Sequence, residues 1–215
     1  MHAPRVPVLD ATHAAPDFGI EPAAHLLAAL MPQYPRGSVF IAVVDPGVGG
    51  TRDAIVVQAD GRKFVGPDNG LLSVLWQRAR SRKCWGIAWR PKRLSGSFHG
   101  RDLFAPVAAG LASKQVPKDW LVSKVSPDVL LSSADLTQVI YVDHFGNCVT
   151  GIRAASLARS TRLRAGARNL RYARTFEDAR GPFWYENSLG LVEIAVPRAS
   201  AARALRLRPG DPIGI

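Results

Sequence analysis

The sequence predicts an α/β N-terminal domain, with a central mixed or parallel sheet flanked by helices, and a small all-β, barrel-like C-terminal domain. Three observations support this fold class. Up to about residue 113, the chain contains both strand-like apolar runs and segments with helical periodicity. From about 126 to 135 the chain loses periodicity and gains Ser, Asp and Pro, which is typical of a linker. Short strand-like runs follow at close spacing. We therefore place the domains at residues 1–130 and 131–215.

The elements of the N-terminal domain follow from local patterns. An Asp60-Gly61 pair between two apolar runs is a strong indication of a β-hairpin. Pro22 suits the first turn of a helix. In chain order we predict strands at 6–9, 38–44, 54–59, 63–66 and 84–89, and helices at 21–30, 71–80 and 103–113. The first of these strands is expected to be short and buried.

The C-terminal domain is predicted from short apolar runs that are separated by regular turns. Such a pattern is typical of a small β-domain or barrel. We predict strands at 138–142, 148–152, 161–164, 169–174 and 190–196, and a last strand after the turn at 208–212.

Composition indicates a globular protein that can bury one sizeable core or two small ones. Of the 215 residues 47% are hydrophobic, and the mean hydropathy is +0.01. No apolar run approaches the roughly 20 residues of a membrane span, and the first residues lack the regions of a signal peptide. We therefore expect a cytoplasmic protein without a membrane partner. Cys84 and Cys148 lack CxxC spacing, so neither a disulfide framework nor a zinc site is expected.

The most informative segment is Ile41-Ala-Val-Val-Asp-Pro-Gly-Val-Gly-Gly-Thr-Arg52, where an apolar strand ends at a carboxylate followed by a glycine-rich turn. Ligands of open α/β sheets bind beyond the carboxyl ends of the strands, so Asp45 lies where chemistry is expected. The glycines permit a tight loop that connects an acidic residue, Asp45, to a basic residue, Arg52. On this segment alone, a tight loop with a solvated Asp and Arg is an equally good interpretation.

A second segment, Phe98-His-Gly-Arg-Asp-Leu-Phe104, places His99 beside a flexible glycine. Asp102 is suited to cap a helix that begins at Leu103. Arg101 and Asp102 are expected to form a structural salt bridge at this helix start. An isolated histidine would more often be a hydrogen-bonded loop residue, but the flanking residues favour a catalytic role for His99.

Three further segments complete a pattern: Val142-Asp-His-Phe-Gly-Asn147, Pro67-Asp-Asn-Gly-Leu-Leu72 and Asn187-Ser-Leu-Gly190. Together with the first two they resemble the S-adenosylmethionine hydroxide adenosyltransferase family, and the match extends from about Val6 to Ile215. Five motifs in the expected order are hard to obtain by chance. The family is related to the enzymes that make fluorinated and chlorinated adenosines. The resemblance implies hydrolysis of S-adenosyl-L-methionine to adenosine and L-methionine, without a metal or other cofactor.

The resemblance assigns the activation of water to Asp45, Arg52 and His99. A free carboxylate, with a pKa of about 3.9, is a weaker base than an imidazole near roughly 6.5, so we expect His99 to accept the proton. Arg52 would stabilise hydroxide character and orient Asp45. The halogenating relatives carry an uncharged aromatic residue at the position of Asp45, where a carboxylate would repel a halide. Hydrolysis is therefore favoured.

The resemblance assigns substrate binding to five residues. The Asp143 carboxylate would hold the methionine ammonium, and Ser188 matches a position near the methionine carboxylate, although Leu189 stands where some relatives have Arg. The nucleoside pocket would be lined by Asn69, Phe145 and Asn147, with Phe145 able to stack on adenine. Without the resemblance, the segments around Asn69 and Asp143 are equally well interpreted as turns with satisfied polar side chains.

The resemblance also predicts a homotrimer, with the site at the interface between subunits. In the family, a first strand that ends in a Thr-Asp-Phe-Gly-like turn precedes the segments found here, and its aspartate holds the ribose hydroxyls. We expect this strand to be missing. Asp17-Phe-Gly19 has similar letters but lies too close to Asp45 in the chain, so we treat it as a coincidence.

Three alternatives stay open. The chain could be a catalytically silent nucleoside-binding remnant without the ribose-binding first strand. It could be a nucleic-acid-associated protein, because its formal net charge is +11, although the basic residues are dispersed and no specific nucleic-acid partner is expected. A metal hydrolase lacks the spacing that would support it; its ligands would be Asp45, Asp68, His99 and Asp102.

Overall fold

A computed structural model describes residues 5–215. The chain divides into two compact units, of which the first ends at Ser133 and the second begins at Ala134. The predicted class is confirmed, because the first unit is α/β and the second is built on a nearly closed β-sheet.

The first unit is built on a five-stranded mixed sheet in the order β1-β3-β2-β4-β5. Strand β1 runs parallel to β3, and all other pairs are antiparallel. The elements are β1 (Val39–Ile41), β2 (Ala54–Ala59), β3 (Arg62–Pro67), β4 (Arg82–Ile87), β5 (Leu121–Lys124), α1 (Ile20–Leu30), α2 (Ser73–Arg78), α3 (Ala105–Ala112), a π-helix (Gly100–Phe104), and 3-10 helices at Met31–Gln33 and Lys118–Trp120.

The predicted hairpin at Asp60-Gly61 joins β2 to β3. Both residues adopt positive φ angles, 46° for Asp60 and 83° for Gly61, as a tight hairpin turn requires. Strand β2 covers the predicted residues 54–59.

Helices cover both faces of the sheet. Alternate residues of a strand point to opposite faces, so neighbouring residues of β2 pack against different helices. Ile55 and Val57 pack with α1 and α2, whereas Val56 packs with α3. This three-layer arrangement is what an α/β unit needs to bury a sheet.

The second unit is a seven-stranded sheet in the order β12-β8-β9-β10-β11-β7-β6. A bridge between Gln138 in β6 and Pro212, next to β12, brings the two edges together, so the sheet is nearly closed around a core that includes Trp184. The elements are β6 (Leu136–Val142), β7 (Cys148–Arg153), β8 (Leu163–Ala165), β9 (Arg168–Tyr172), β10 (Phe183–Glu186), β11 (Leu191–Ala195), β12 (Ile213–Gly214), α4 (Ala201–Leu205) and a 3-10 helix at Ala154–Ser156.

Some sequence predictions were wrong. Residues 6–9 form no strand, and Val8 and Leu9 are largely exposed, because no neighbouring strand pairs with them. Strands β5 and β10 and helix α4 were not predicted. Each has only four or five residues, too few to show a clear period.

No helix among residues 5–215 has the length and apolar character needed to cross a membrane. Cys84 and Cys148 are buried free thiols. Burial raises the pKa of the Cys84 thiol to about 11 and that of Cys148 to about 12, so both stay protonated near neutral pH.

Candidate active site

Asp45 follows β1 at the end of a segment that is held on two sides. The Ala42 amide donates to the Val65 carbonyl at 3.0 Å, and the Asn69 side-chain amide donates to the Val44 carbonyl at 2.9 Å. A Cβ atom at Gly66 would lie 2.4 Å from the Ala42 carbonyl oxygen, so only glycine permits this approach. Asn69, a predicted nucleoside contact, thus fixes the backbone that leads to Asp45.

The glycine-rich turn brings Arg52 back to Asp45. The Val48 amide donates to the Asp45 carbonyl at 3.2 Å, which closes the first turn. Gly49 has a φ of 83°, and a Cβ atom there would lie 2.3 Å from the Gly96 carbonyl oxygen. The loop is therefore tight and packed against the 94–96 segment, as the sequence pattern predicts.

Asp45 and Arg52 form a forked ion pair. Arg52 Nε lies 3.2 Å from Asp45 Oδ1 and 3.1 Å from Oδ2, and Arg52 Nη2 makes a further short contact with Oδ2. Only 3% of the Asp45 side chain and 13% of the Arg52 side chain are exposed. The guanidinium also lies over the Phe104 ring, 5.4 Å from its centroid. The interpretation of this segment as a solvated loop is therefore wrong.

His99 joins this pair through Arg52. It immediately precedes the π-helix at Gly100–Phe104, and its Nδ1 lies 2.9 Å from Arg52 Nη2. Single π-turns are frequent at functional sites. The structure thus brings together the three residues expected to activate water, although they span 45 to 99 in the chain.

Asp102 lies within the π-helix and connects it to the 94–96 segment, rather than capping a helix. Its Oδ2 accepts the Ser95 amide at 3.1 Å, and Arg101 Nε donates to its Oδ1 at 2.6 Å. The prediction of a cap for a helix beginning at Leu103 was wrong, because the π-helix already begins at Gly100. The predicted Arg101–Asp102 salt bridge is confirmed.

The pKa of His99 is lowered from its ordinary value. Burial is the main cause, followed by the positive charge of Arg52 and a smaller effect of Arg90, while Asp45 and Asp102 oppose the shift. The lowered pKa favours the neutral form of the imidazole.

Asp45 borders one cavity, and Arg52 and His99 border another. The first cavity has a volume of about 280 Å³ and is formed by residues 43–46 and the segment around residues 13–18. The second, of about 380 Å³, is lined by Arg52, Arg90 and His99 together with the glycine turn and the 94–96 segment.

The segment Asp17-Phe-Gly19 lies at the cavity of Asp45. Asp17 and Phe18 are both among its lining residues, and Phe18 has a φ of 56° and is 82% exposed. Sequence reasoning treated these residues as a coincidence because of their short separation from Asp45. Their place directly before α1 was the available indication of a turn near the sheet edge.

In the second unit, Asp143 and Asn147 close one tight turn. The Asp143 carboxylate accepts the Asn147 backbone amide at 2.8 Å and its side-chain amide at 3.0 Å. Gly146 has a φ of 86°, and a Cβ atom there would lie 2.1 Å from Ser200 Oγ. Phe145, at the tip, is 76% exposed and contacts His144 edge to face.

The turn that carries Ser188 is organised by Asn187. Asn187 Oδ1 accepts the amides of Leu189 at 2.9 Å and Leu191 at 3.0 Å. Its Nδ2 donates to Glu193 Oε2 at 2.8 Å, and the Tyr185 hydroxyl donates to Glu193 Oε1. Burial and the Glu193 carboxylate raise the pKa of the Tyr185 phenol. Sequence reasoning missed Glu193, whose role depends on neighbouring strands.

Among the described residues, no group of three His, Cys, Asp or Glu side chains could hold a metal ion. Asp68 is fully buried and pairs with Lys124 Nζ at 2.8 Å, while Asp102 pairs with Arg101. The four side chains of the metal-hydrolase alternative therefore do not form one ligand set.

Comparisons with known proteins agree with one another over nearly the whole chain. A family model described as the SAM hydroxide adenosyltransferase N-terminal domain matches residues 1–120, and the corresponding C-terminal domain model matches residues 137–214.

Two relatives are both named (R)-S-adenosyl-L-methionine hydrolase. The protein from Salinispora arenicola is 39% identical, over 99% of this chain and 87% of its own length. The protein from Thermus thermophilus is 36% identical, over 98% of this chain and 88% of its own length. The crystal structure of an uncharacterised conserved protein from Thermotoga maritima aligns with a TM-score of 0.88 at 32% identity, covering 99% of this chain and 90% of that one.

Proposed function

The chain belongs to the SAM hydroxide adenosyltransferase family, and we propose from this premise how its residues carry out the family's reaction. It is an enzyme that hydrolyses S-adenosyl-L-methionine to adenosine and L-methionine, the activity that its relatives' names indicate. The observation that carries the site assignment is the contact of one buried guanidinium, that of Arg52, with both Asp45 and His99.

The reaction needs an activated nucleophile and no general acid. Water attacks the 5′ carbon, the bond from carbon to sulfur breaks, and its electron pair stays on sulfur. Methionine leaves as a neutral thioether, so no proton has to reach the leaving group. The attacking water has to be oriented, shielded from bulk solvent and relieved of one proton. A nearly buried carboxylate and guanidinium, each beside a cavity, are suited to these tasks.

We assign binding of the methionine part to the second unit. Asp143 pairs with the ammonium group, and Ser188 contacts the carboxylate. Leu189 offers no charge for that carboxylate, so Ser188 and the backbone of its turn have to bind it. Two ordered turns support these roles, one closed by Asp143 and one organised by Asn187.

We assign the nucleoside pocket to Asn69, Phe145 and Asn147. The exposed ring of Phe145 has a face available for stacking on adenine. Asn69 acts through the backbone, because its side-chain amide donates to the carbonyl of Val44, the residue before Asp45.

The carboxylate of Asp45 favours water over halide as the nucleophile. A fluoride or chloride ion that approached this nearly buried negative charge would be repelled at short distance.

A homotrimer with the site between subunits, a cytoplasmic location and a reaction independent of metal or other cofactor are part of the proposal. The family resemblance supports the trimer. A measured molar mass three times that of the 23.2 kDa chain would agree with it.

Replacing Asp45 tests the assignment. The purified protein, incubated with S-adenosyl-L-methionine, releases adenosine and methionine, which chromatography detects. Asp45→Asn keeps the shape of the side chain and removes its charge, so we expect kcat to fall by about 100-fold or more.

The matched control is Asp119→Asn, which makes the same change on the exposed helix at Lys118–Trp120 and should keep the wild-type rate. If the wild-type protein released no adenosine above the solvent background, the proposed function would be wrong and the silent nucleoside-binding alternative would be favoured.

A further inference from the structure

We propose that His99 is a positioning residue, held as the neutral tautomer with its proton on Nε2, and that the Asp45 carboxylate accepts the proton of the attacking water. The inference rests on the proposed function and deepens it. It also reverses the roles expected from sequence, where the imidazole was the preferred base.

The first argument is the direction of the hydrogen bond between Arg52 and His99. A guanidinium has only N–H donors and no acceptor. Arg52 Nη2 lies 2.9 Å from His99 Nδ1, so Nδ1 has to present its lone pair. A neutral imidazole with a lone pair on Nδ1 carries its proton on Nε2. In that tautomer Nδ1 accepts from Arg52 and Nε2 already carries a proton, so neither ring nitrogen has a free lone pair for the water proton.

The second argument is that Arg52 depends on this acceptor. Its Nη2 contacts both Asp45 Oδ2 and His99 Nδ1, while Nε contacts only the carboxylate. The imidazole thus supplies a second acceptor for Nη2 beside the Asp45 carboxylate. Without it, one Nη2 hydrogen loses its partner in a nearly buried place, where an unpaired donor is costly.

The third argument concerns the charges around His99. Arg52 and Arg90 are the positive groups that act on it, and Asp45 and Asp102 are the negative ones. A proton added at Nδ1 would point at an N–H of Arg52, so two donors and two positive charges would face each other. The balance of burial and charge lowers the pKa of His99, which agrees with a poor base.

The carboxylate then completes the step. Asp45 Oδ2 takes two contacts from Arg52, whereas Oδ1 takes one longer contact at 3.2 Å and so has more capacity left for the water. As the bond from oxygen to the 5′ carbon forms and the bond from carbon to sulfur breaks, one water proton moves to Oδ1. After methionine and adenosine leave, that proton passes to solvent.

Two substitutions of His99 separate positioning from base catalysis. The side-chain oxygen of Asn occupies about the place of Nδ1, whereas the amide of Gln reaches about the place of Nε2. Because Asn can still accept from Arg52, we expect His99→Asn to keep kcat within about tenfold of wild type. We expect kcat of His99→Gln and of His99→Ala to fall by about 100-fold. Thermal unfolding of all three variants is the control that each of them folds.

The pH profile of kcat gives a second measurement. Protonation of His99 destroys the acceptor for Arg52, so the wild-type rate falls as the pH drops through the lowered pKa of His99. Asn does not titrate, so in His99→Asn this fall has to move to lower pH. If all three variants lost a similar factor of about 100 or more, His99 would be the base and the inference would be overturned.

Nitrogen-15 NMR of the wild-type imidazole tests the tautomer without any turnover. A pyridine-like Nδ1 and a pyrrole-like Nε2 are expected for His99 near neutral pH. A proton on Nδ1 would overturn the inference whether or not the protein hydrolyses S-adenosyl-L-methionine. Absence of adenosine release by the wild type, in contrast, would contradict the proposed function and leave the tautomer assignment standing.

Discussion

At the scale of single residues, Arg52 determines the geometry of the site. Its guanidinium makes contacts to Asp45 through two nitrogens and to His99 through one of them, so a single side chain joins two segments that are distant in sequence. Planar fork geometry makes these simultaneous contacts possible. The ion pair is also nearly buried, where its partners depend on each other for compensation of charge.

Arg52→Lys tests this geometry while keeping the charge. A lysine ammonium is a point donor and cannot reach both Asp45 and His99 with the same alignment. We expect kcat for adenosine release to fall by about 100-fold, a loss typical of removing one oriented donor. The control is Arg159→Lys, which changes an exposed ion pair with Glu186 and should have little effect. Wild-type turnover in Arg52→Lys would show that charge alone is sufficient.

At the scale of elements, the proposed substrate-binding residues lie on turns whose conformation is stabilised by hydrogen bonds from side chains of the same turn or of the neighbouring strand. The turn after β10 has its backbone amides satisfied by Asn187, whose orientation is set by Glu193 on β11. Glu193 is 6% exposed, so its hydrogen bonds from Tyr185 and Asn187 are needed to compensate its burial. The strands thus impose the conformation of the loop that carries Ser188.

Asn187→Asp tests the turn by removing one donor. The new carboxylate would face Glu193 at the site of a 2.8 Å hydrogen bond, so we expect KM for S-adenosyl-L-methionine to rise at least about tenfold with a smaller change in kcat. The double variant Asn187→Asp with Glu193→Gln restores a donor and acceptor pair with reversed polarity and should recover most of the affinity. A double variant as impaired as the single one would contradict this account.

At the scale of the whole molecule, electrostatics oppose the proposed substrate. The formal net charge is +11, and S-adenosyl-L-methionine is a net cation, because its positive sulfonium and ammonium groups outweigh its single carboxylate. A positive overall potential lowers the local concentration of such a ligand, so local carboxylates such as Asp143 have to supply the attraction.

Raising the NaCl concentration from about 0.05 M to about 0.5 M screens this long-range repulsion. We expect KM for S-adenosyl-L-methionine to fall by about twofold to fivefold over this range. Binding of adenosine, which is uncharged, serves as the control and should change little. A KM that rose with salt would show that the local acidic field outweighs the net charge.

Local patterns were sufficient for the elements whose residues interact mainly with their sequence neighbours. The hairpin at Asp60-Gly61 and strand β2 lie where they were predicted, because a tight turn and an apolar strand have characteristic residues. Strand β10, in contrast, has four residues and depends on pairing with β9 and β11. Such short strands form through their neighbours, which periodicity does not reveal.

The sequence by itself determined the fold class, and through its motifs it identified Asp45, Arg52 and His99 as one candidate set. Only the tertiary structure decided how they meet: Arg52 contacts both Asp45 and His99, Asp17 lies at the cavity of Asp45, and His99 approaches Arg52 through Nδ1, the contact from which we infer the tautomer. The physical reason is that a sequence motif shows which donors and acceptors are present. Which of them pair depends on the backbone segments that the sheet brings together.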